Sequence, residues 1–383
     1  MSSYMIDPHD PMPRYYQVYS SLQDRIRAGE FRPGTALPSE RQLVKDYGVS
    51  RITIIKAMDL LERDNLIEKQ QGRGSFVTGC FESDEGVSGC RVAFCMPSFG
   101  DSYIVSILIG ATRQAMHHGV QLQIVGVESD EREVTRIRDA VASGVNALLV
   151  YPSSRFADSQ LCAELAERNF PIVFLDRYYT QYDTDWVVFD DEGAGYALTH
   201  HLISRGHRRI AIFPGHEVMV TSVHGRIQGY RRALEEAGIP FDEDLICLDV
   251  YDKLSPATIN ASESSHQRLF DRLRRDSITA MVAINRYVAL QMNLDLMKIK
   301  NEMMRAVIEG RSGLMLEEPG VEIAAISHQV ISREQSAFVV VSAIQSGEAM
   351  GERAIEILIR RMAAGGDLPH QRVVIPMEIV PIV

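Results

Sequence analysis

Residues 37–76 read LPSERQLVKDYGVSRITIIKAMDLLERDNLIEKQQGRGSF, and their spacing predicts a helix, a tight turn, a second helix and a short β-hairpin. Ser39 precedes Glu40-Arg41-Gln42, which makes it an N-cap with Gln42 in the capping-box position. The helix runs to Tyr47, and Gly48 closes it with a left-handed residue. Val49 and Ser50 open the second helix, with Ser50 as its cap. Two apolar sets, Ile52/Ile55/Leu60 and Ile54/Met58/Leu61, predict a broad buried stripe. Residues 66–70 and 75–78 read as strands joined by Gln71-Gly72-Arg73-Gly74, a tip with the glycines a hairpin needs. An earlier helix, 15–28, turns Tyr16, Tyr19, Leu22 and Ile26 toward one buried side. The whole is the pattern of a winged helix-turn-helix, a module that docks on double-stranded DNA.

The chain of 383 residues is long enough for two or three domains. It has no apolar run of membrane-spanning length, and MSSYMIDPHDPMPRYY lacks a signal-peptide core. The five cysteines, Cys80, Cys90, Cys95, Cys162 and Cys247, are scattered without a CxxC pair, so neither zinc nor a disulfide framework is indicated. A cytoplasmic protein with no membrane partner is expected. The net charge of −11 argues against DNA binding until the chain is divided: residues 1–79 carry 11 Lys/Arg against 10 Asp/Glu, and the acidic excess lies in the remainder. A head this weakly basic is not built for tight non-specific binding, and the acidic bulk helps restrict DNA contact to the reading face.

Residues 80–90, CFESDEGVSGC, are small, polar and acidic, as expected of a linker between a DNA-binding domain over 1–79 and a larger domain over 91–383. Beyond them strands and helices alternate. Strands are expected at 91–97, 120–127, 147–151 and 172–176, with helices at 103–119, 129–143 and 159–168 between them. The rhythm restarts with helix 194–205, strand 209–214 and helix 226–237, and further strands are expected at 245–250, 280–284 and 321–326. Continuous apolar strands alternating with helices imply an α/β fold with parallel sheets covered on both faces. Two successive units suggest two lobes, with a ligand bound beyond the carboxyl ends of the strands.

LPSERQL, GVSRIT, KAMDLLERDNLIE and GRGSFV resemble the DNA-binding domain of GntR-family transcriptional regulators over about residues 13–79. The resemblance implies that Arg41, Arg51 and Thr53 face the DNA, with Ser50 near phosphate. It also brings the wing residues Gly72, Arg73 and Gly74 to the minor groove or its phosphates. An arginine that bridges guanine O6 and N7 adds about 1–3 kcal/mol of discrimination. The family often has arginine where this chain has Ile55. Lys56, the nearest cation, points about 100° further round the helix, so the operator should differ from those of relatives.

GVNALLVYP, PIVFLDR, DDEGAGYALTHHLISRGHRRIAIFPG, RIQGYRRALEEAGI and QSGEAMGERAIEILIRRM resemble the effector domain of LacI-type repressors, itself related to periplasmic sugar-binding proteins. A winged GntR head on such a body is the arrangement of the arabinose-repressor subgroup. The resemblance implies an effector pocket from Asp101, Tyr103, Asp176, Arg177, Arg226, Asn285, Arg286, His328 and Gln345, with Arg226 as the ligand-gripping arginine. Two places depart from the pattern. An Asn-Asp pair is replaced by Asn285-Arg286, and a Gly-Phe/Tyr-Asp-Asp turn by Ala325-Ile326-Ser327-His328. Carboxylates that grip sugar hydroxyls are missing there and positive charge is added, which favours an acidic sugar over a neutral one.

The histidines fall in no HExxH or comparable ligand spacing, so no metal and no cofactor are expected. The chain has no GxSxG, P-loop or GxGxxG, which weighs against an enzymatic body on a GntR head. The expectation is a ligand-responsive homodimeric repressor released from palindromic operator DNA by a sugar or sugar-derived acid. A regulator that activates on ligand binding is the alternative.

Overall fold

The computed structural model describes residues 14–27, 30–31, 34–63, 66–70, 74–77, 87, 89–97, 101–127, 129–214, 220–251, 265–309, 320–364 and 368–382. The chain divides into two compact units, Met1–Gly86 and Val87–Val383.

The first unit holds α1 (Arg14–Arg27), α2 (Glu40–Tyr47), α3 (Arg51–Arg63) and the hairpin strands β1 (Ile67–Gln70) and β2 (Gly74–Val77). The strands pair antiparallel with Ile67 opposite Val77. Ser39 Oγ accepts from the Gln42 amide, and Gly48 closes α2 at φ 64°. Only one arm of the capping box forms, because the Gln42 side chain donates to Asp46. Ser50 Oγ accepts from the Thr53 amide at 3.2 Å and caps α3. The core gathers Val18, Leu22, Ile26, Leu43, Tyr47, Ile54, Met58, Leu61, Ile67 and Val77.

Two expected core residues lie outside it: Tyr16 is 41% and Ile52 69% exposed. Ile54, Ala57, Met58 and Leu61 fill the inward face of α3, and at 100° per residue Ile52 falls on the opposite side from Ile54. Ile55 and Leu60 flank the core, half-buried. The wing positions Gly72 and Arg73, Thr78 of the second expected strand, and most of the expected linker lie outside the described residues. The last part of that linker belongs to the second unit. Val87 is fully buried among first-lobe residues, and the Gly89 amide donates to Gly119.

In the second unit β3 (Arg91–Pro97), α4 (Ser102–His117), β4 (Gln121–Val127), α5 (Asp130–Ala142), β5 (Ala147–Val150), α6 (Ser154–Ala157), α7 (Gln160–Glu167), β6 (Ile172–Leu175) and β7 (Asp185–Phe189) build the first lobe. Then α8 (Asp191–Ser204), β8 (Ile210–Phe213), α9 (Thr221–Glu236), α10 (Ser265–Arg275), β9 (Ala280–Ala283), α11 (Arg286–Ile308), β10 (Glu322–Ser327) and β11 (Val339–Ile344) build the second. The chain returns through α12 (Gly347–Ala363), β12 (Arg372–Ile375) and β13 (Glu378–Pro381). The first sheet runs β12-β7-β6-β5-β3-β4, parallel throughout. The second runs β13-β11-β10-β9-β8, parallel except for the antiparallel edge strand β13.

The expected strand at 245–250 is not formed. Asp242 caps a 3-10 turn over Glu243–Leu245, and the segment meets β8 only at the Ile212–Ile246 bridge. Both lobes bury apolar clusters on the two faces of their sheets, as crossover helices require. The chain passes between lobes three times: from β7 into α8, from β11 into α12, and from β12 into β13. Each passage uses only one or two residues outside regular structure, so the lobes are joined through Asp190, Gln345-Ser346 and Pro376-Met377.

Candidate functional site

The strand ends and helix starts of both lobes meet along the cleft. On the first lobe Asp101 caps α4, its Oδ1 accepting from the Tyr103 amide at 2.8 Å. Asp176 follows β6 with φ 67°, a left-handed conformation that aspartate tolerates better than most residues. Its carboxylate accepts from Tyr103 Oη at 2.8 Å and from Tyr151 Oη at 3.1 Å. Arg177 donates to Tyr151 Oη at 3.1 Å and lies over that ring at 4.9 Å. Burial, and then the Asp176 charge, push the Tyr103 hydroxyl well above its ordinary range, so it is a proton donor here and not a phenolate. Tyr103, Asp176 and Arg177 therefore form one network.

On the second lobe Arg226, on α9, is buried. It donates from Nε to Asp191 at 2.8 Å and from a terminal nitrogen to the Ile284 carbonyl at 2.8 Å. The expected gripping arginine thus holds α8, α9 and the end of β9 together. Burial pushes the Asp191 carboxyl up to about 7, with the Arg226 charge pulling the other way. Asn285 Oδ1 accepts from the Val288 amide at 2.9 Å and caps α11. Arg286 opens that helix, half-buried, with Ser327 Oγ at 3.5 Å. Burial lowers its pKa. Gln345 follows β11 and is buried. Its backbone donates to the Ser327 carbonyl at 2.8 Å, and its Nε2 makes no hydrogen bond.

Among the described residues, three hydrogen-bonded pairs cross the cleft. Tyr287 Oη donates to Asp101 at 2.7 Å. His328 Nε2 and Ser102 Oγ lie 2.9 Å apart. The Tyr178 amide donates to Thr221 Oγ1 at 3.2 Å, and the Tyr178 ring stacks on Trp186 at 4.6 Å. Burial, then the Arg286 charge, lower the His328 pKa, so it is neutral at pH 7. Tyr287, Tyr151 and Tyr178 were not among the expected site residues. The available signal was an aromatic side chain one to four residues beyond a strand end, which is too common to select them.

In the head, Arg41 lies exposed on α2, and Arg51 and Lys56 lie exposed on α3 with the half-buried Thr53. Ser50 and Thr53 hydroxyls are 2.8 Å apart. Arg51 Nε donates to Glu40 at 3.0 Å, and Lys56 Nζ lies 5.7 Å from the Tyr15 ring centre. Gly74 starts β2 with φ 113°. Among the described residues no three His, Cys, Asp or Glu side chains gather as a metal site, and no helix is long and apolar enough to cross a membrane.

Residues 90–293, more than half of the chain, match the family of periplasmic binding proteins and the sugar binding domain of the LacI family. The chain belongs to this family. Residues 14–77 match bacterial regulatory proteins of the gntR family, so a GntR-family DNA-binding head precedes a LacI-type body. Among curated relatives, the arabinose metabolism transcriptional repressor of Geobacillus stearothermophilus is 26% identical over 60% of this chain and 63% of its own length. That of Halalkalibacterium halodurans is 25% identical over 73% of this chain and 74% of its own. The chain thus spans less than two thirds of the first relative. The crystal structure of transcription regulator CcpA of Lactococcus lactis superposes with a TM-score of 0.62 at 20% identity, covering 76% of this chain and 97% of that one. At that identity the likeness establishes the shared LacI-family fold.

Proposed function

We propose that this chain is a cytoplasmic, non-catalytic transcriptional repressor that leaves a palindromic operator when a sugar or sugar-derived acid closes the cleft. The carrying observation is the set of contacts across that cleft, Asp101–Tyr287 and Ser102–His328, between lobes joined by three short connectors. A ligand that adds contacts to both walls favours this closed arrangement, and it shifts the population by its differential affinity for closed over open.

In this reading the protein is a homodimer. Ile109 and Met116 on α4, Ile124 on β4, and Met297, Met304 and Ile308 on α11 are exposed apolar side chains; exposed apolar patches mark interaction surfaces. Closure changes the lobe angle at such an interface and with it the spacing of two heads, which must match two operator half-sites. The exposed face of α3 supplies the reading, with Arg51 for guanine, Thr53 and Ser50 near phosphate, and Lys56, Arg41 and the Gly72–Gly74 wing alongside. Exposed Ile52 adds an apolar contact of the kind a thymine methyl accepts.

Fluorescence anisotropy on operator DNA tests the reading. Arg51→Ala is expected to weaken binding by about 1–3 kcal/mol, as loss of a guanine contact does, and Ile52→Ala by less. Effector and operator must also weaken each other by the same factor. Effector affinity unchanged by saturating operator, while effector still releases the protein, would sink the mechanism.

A further inference from the structure

The polar groups of the cleft divide into those already engaged and those with capacity left. Each carboxylate on its walls has two protein donors. Asp101 accepts from the Tyr103 amide and Tyr287 Oη. Asp176 accepts from Tyr103 and Tyr151, and Asp191 from two nitrogens of Arg226. Asn285 spends its carbonyl on the α11 cap. The remaining capacity is of the opposite kind. Arg286 is half-buried, and among the described residues its one hydrogen bond is the 3.5 Å contact to Ser327 Oγ, with no carboxylate in salt-bridge range. Gln345 is 6% exposed, and its amide nitrogen has no partner. His328 lies between Arg286 and the first lobe. These three residues follow β9, β10 and β11, adjacent parallel strands, at their carboxyl ends.

A half-buried guanidinium without a counter-charge is costly, and guanidinium pairs with carboxylate or phosphate through parallel N–H···O bonds. Hydroxyls of a neutral sugar offer no charge to balance a guanidinium, and each of these carboxylates already holds two donors. We infer that the effector carries an anionic group, carboxylate or phosphate, and that Arg286, with Gln345 and His328, binds it at the carboxyl ends of β9, β10 and β11. The inference rests on the cleft being the effector site.

Calorimetric titration of the full chain with matched probes tests it: D-glucose, D-glucuronate and glucose 6-phosphate, and D-galactose and D-galacturonate, at constant ionic strength. At least one anionic probe should bind at least tenfold tighter than its neutral parent. Preference for the uronates identifies a carboxylate, and preference for the sugar phosphate identifies a phosphate. Arg286→Gln should erase the preference, and Arg286→Asp should reverse it. Lys298→Gln, which removes an exposed cation about 18 Å along α11 from Arg286, should keep it. A neutral sugar that binds as tightly as its acid, an Arg286→Gln protein that keeps the preference, or no binding by any acid overturns the inference. A neutral sugar that binds and releases operator would do so while leaving the repressor reading intact. An acid that binds through Arg286 without changing operator affinity would establish the subsite and sink the repressor reading.

Discussion

Each lobe of the body buries an arginine–aspartate pair and packs two helices through glycines, yet the two differ in what they leave open. The first lobe holds Arg361 on Asp185, and its α4 and α12 touch where Gly351 meets the Ile107 carbonyl. The second holds Arg226 on Asp191, and its α8 and α9 touch where Gly229 meets the Glu192 carbonyl. On the first lobe Asp185 also accepts from the Gln371 amide at 2.6 Å, and Arg361 donates to the carbonyls of Leu368 and Pro369. Both partners of that pair are tied to backbone. The second pair faces the cleft, with an aspartate that takes up a proton near neutrality. One lobe is a completed wall, and the other keeps charge that responds to its surroundings.

Removing the arginines should separate the pairs most. Arg361→Met strands Asp185 and is expected to cost about 3–5 kcal/mol, the usual result of breaking a buried ion pair. Arg226→Met should cost less, and its cost should depend on pH. The folded-state pKa of Asp191 is raised, so its contribution is most favourable below its unfolded value and is lost as pH rises through about 7. Denaturant melts of Arg226→Met should therefore show a smaller penalty at pH 6 than at pH 8, and a pH-independent penalty would remove the distinction between lobes. Gly351→Ala and Gly229→Ala come next, each placing a methyl against backbone of the facing helix. Both should lose about 1–3 kcal/mol as over-packed contacts do, and a loss confined to one of them would show that the helix pairs are not equivalent. Tyr287→Phe should have the smallest effect on stability. It removes a hydrogen bond that exists only with the lobes together, costing about 1.5–3 kcal/mol of closure for a bond to a charged group. The sequence has one tryptophan, Trp186. Since Tyr178 both stacks on it and bonds Thr221 across the cleft, Trp186 emission should report closure and show the Tyr287→Phe loss directly.

The reach of sequence reasoning follows the length scale of each interaction. The caps at Ser39 and Ser50, the left-handed Gly48 and the apolar strands at β3, β5, β6, β9 and β10 are local, and local spacing revealed them. Ile52 was misassigned because α3 carries more apolar residues than one buried face holds, and only packing decides which set turns inward. The segment at 245–250 opens with the apolar run Leu245–Leu248, as a strand does, but the Asp242-capped turn takes up its first residue and leaves one bridge to β8. β7 opens with Asp185, whose role is an ion pair, and its apolar run Trp186–Phe189 is only four residues long, too short to announce a strand. The cleft residues were named by resemblance, which said nothing of their engagement. Nothing near Arg226 in sequence shows that Asp191 holds it, and Tyr287 reaches Asp101 across 186 residues.

The threefold passage of the chain between lobes bears on how the protein is made. α12 and β12 complete the first lobe, and β13 completes the second, so both wait for the segment from Gly347 to Pro381 to leave the ribosome. The head's core, by contrast, uses only residues up to Val77 and is available to form early in synthesis. A chain that stops short of α12 would thus carry a DNA reader with neither lobe complete. Limited proteolysis of a chain ended at Gln345 should cut both lobes and spare the head, and survival of either lobe would show that it assembles without the returning segment.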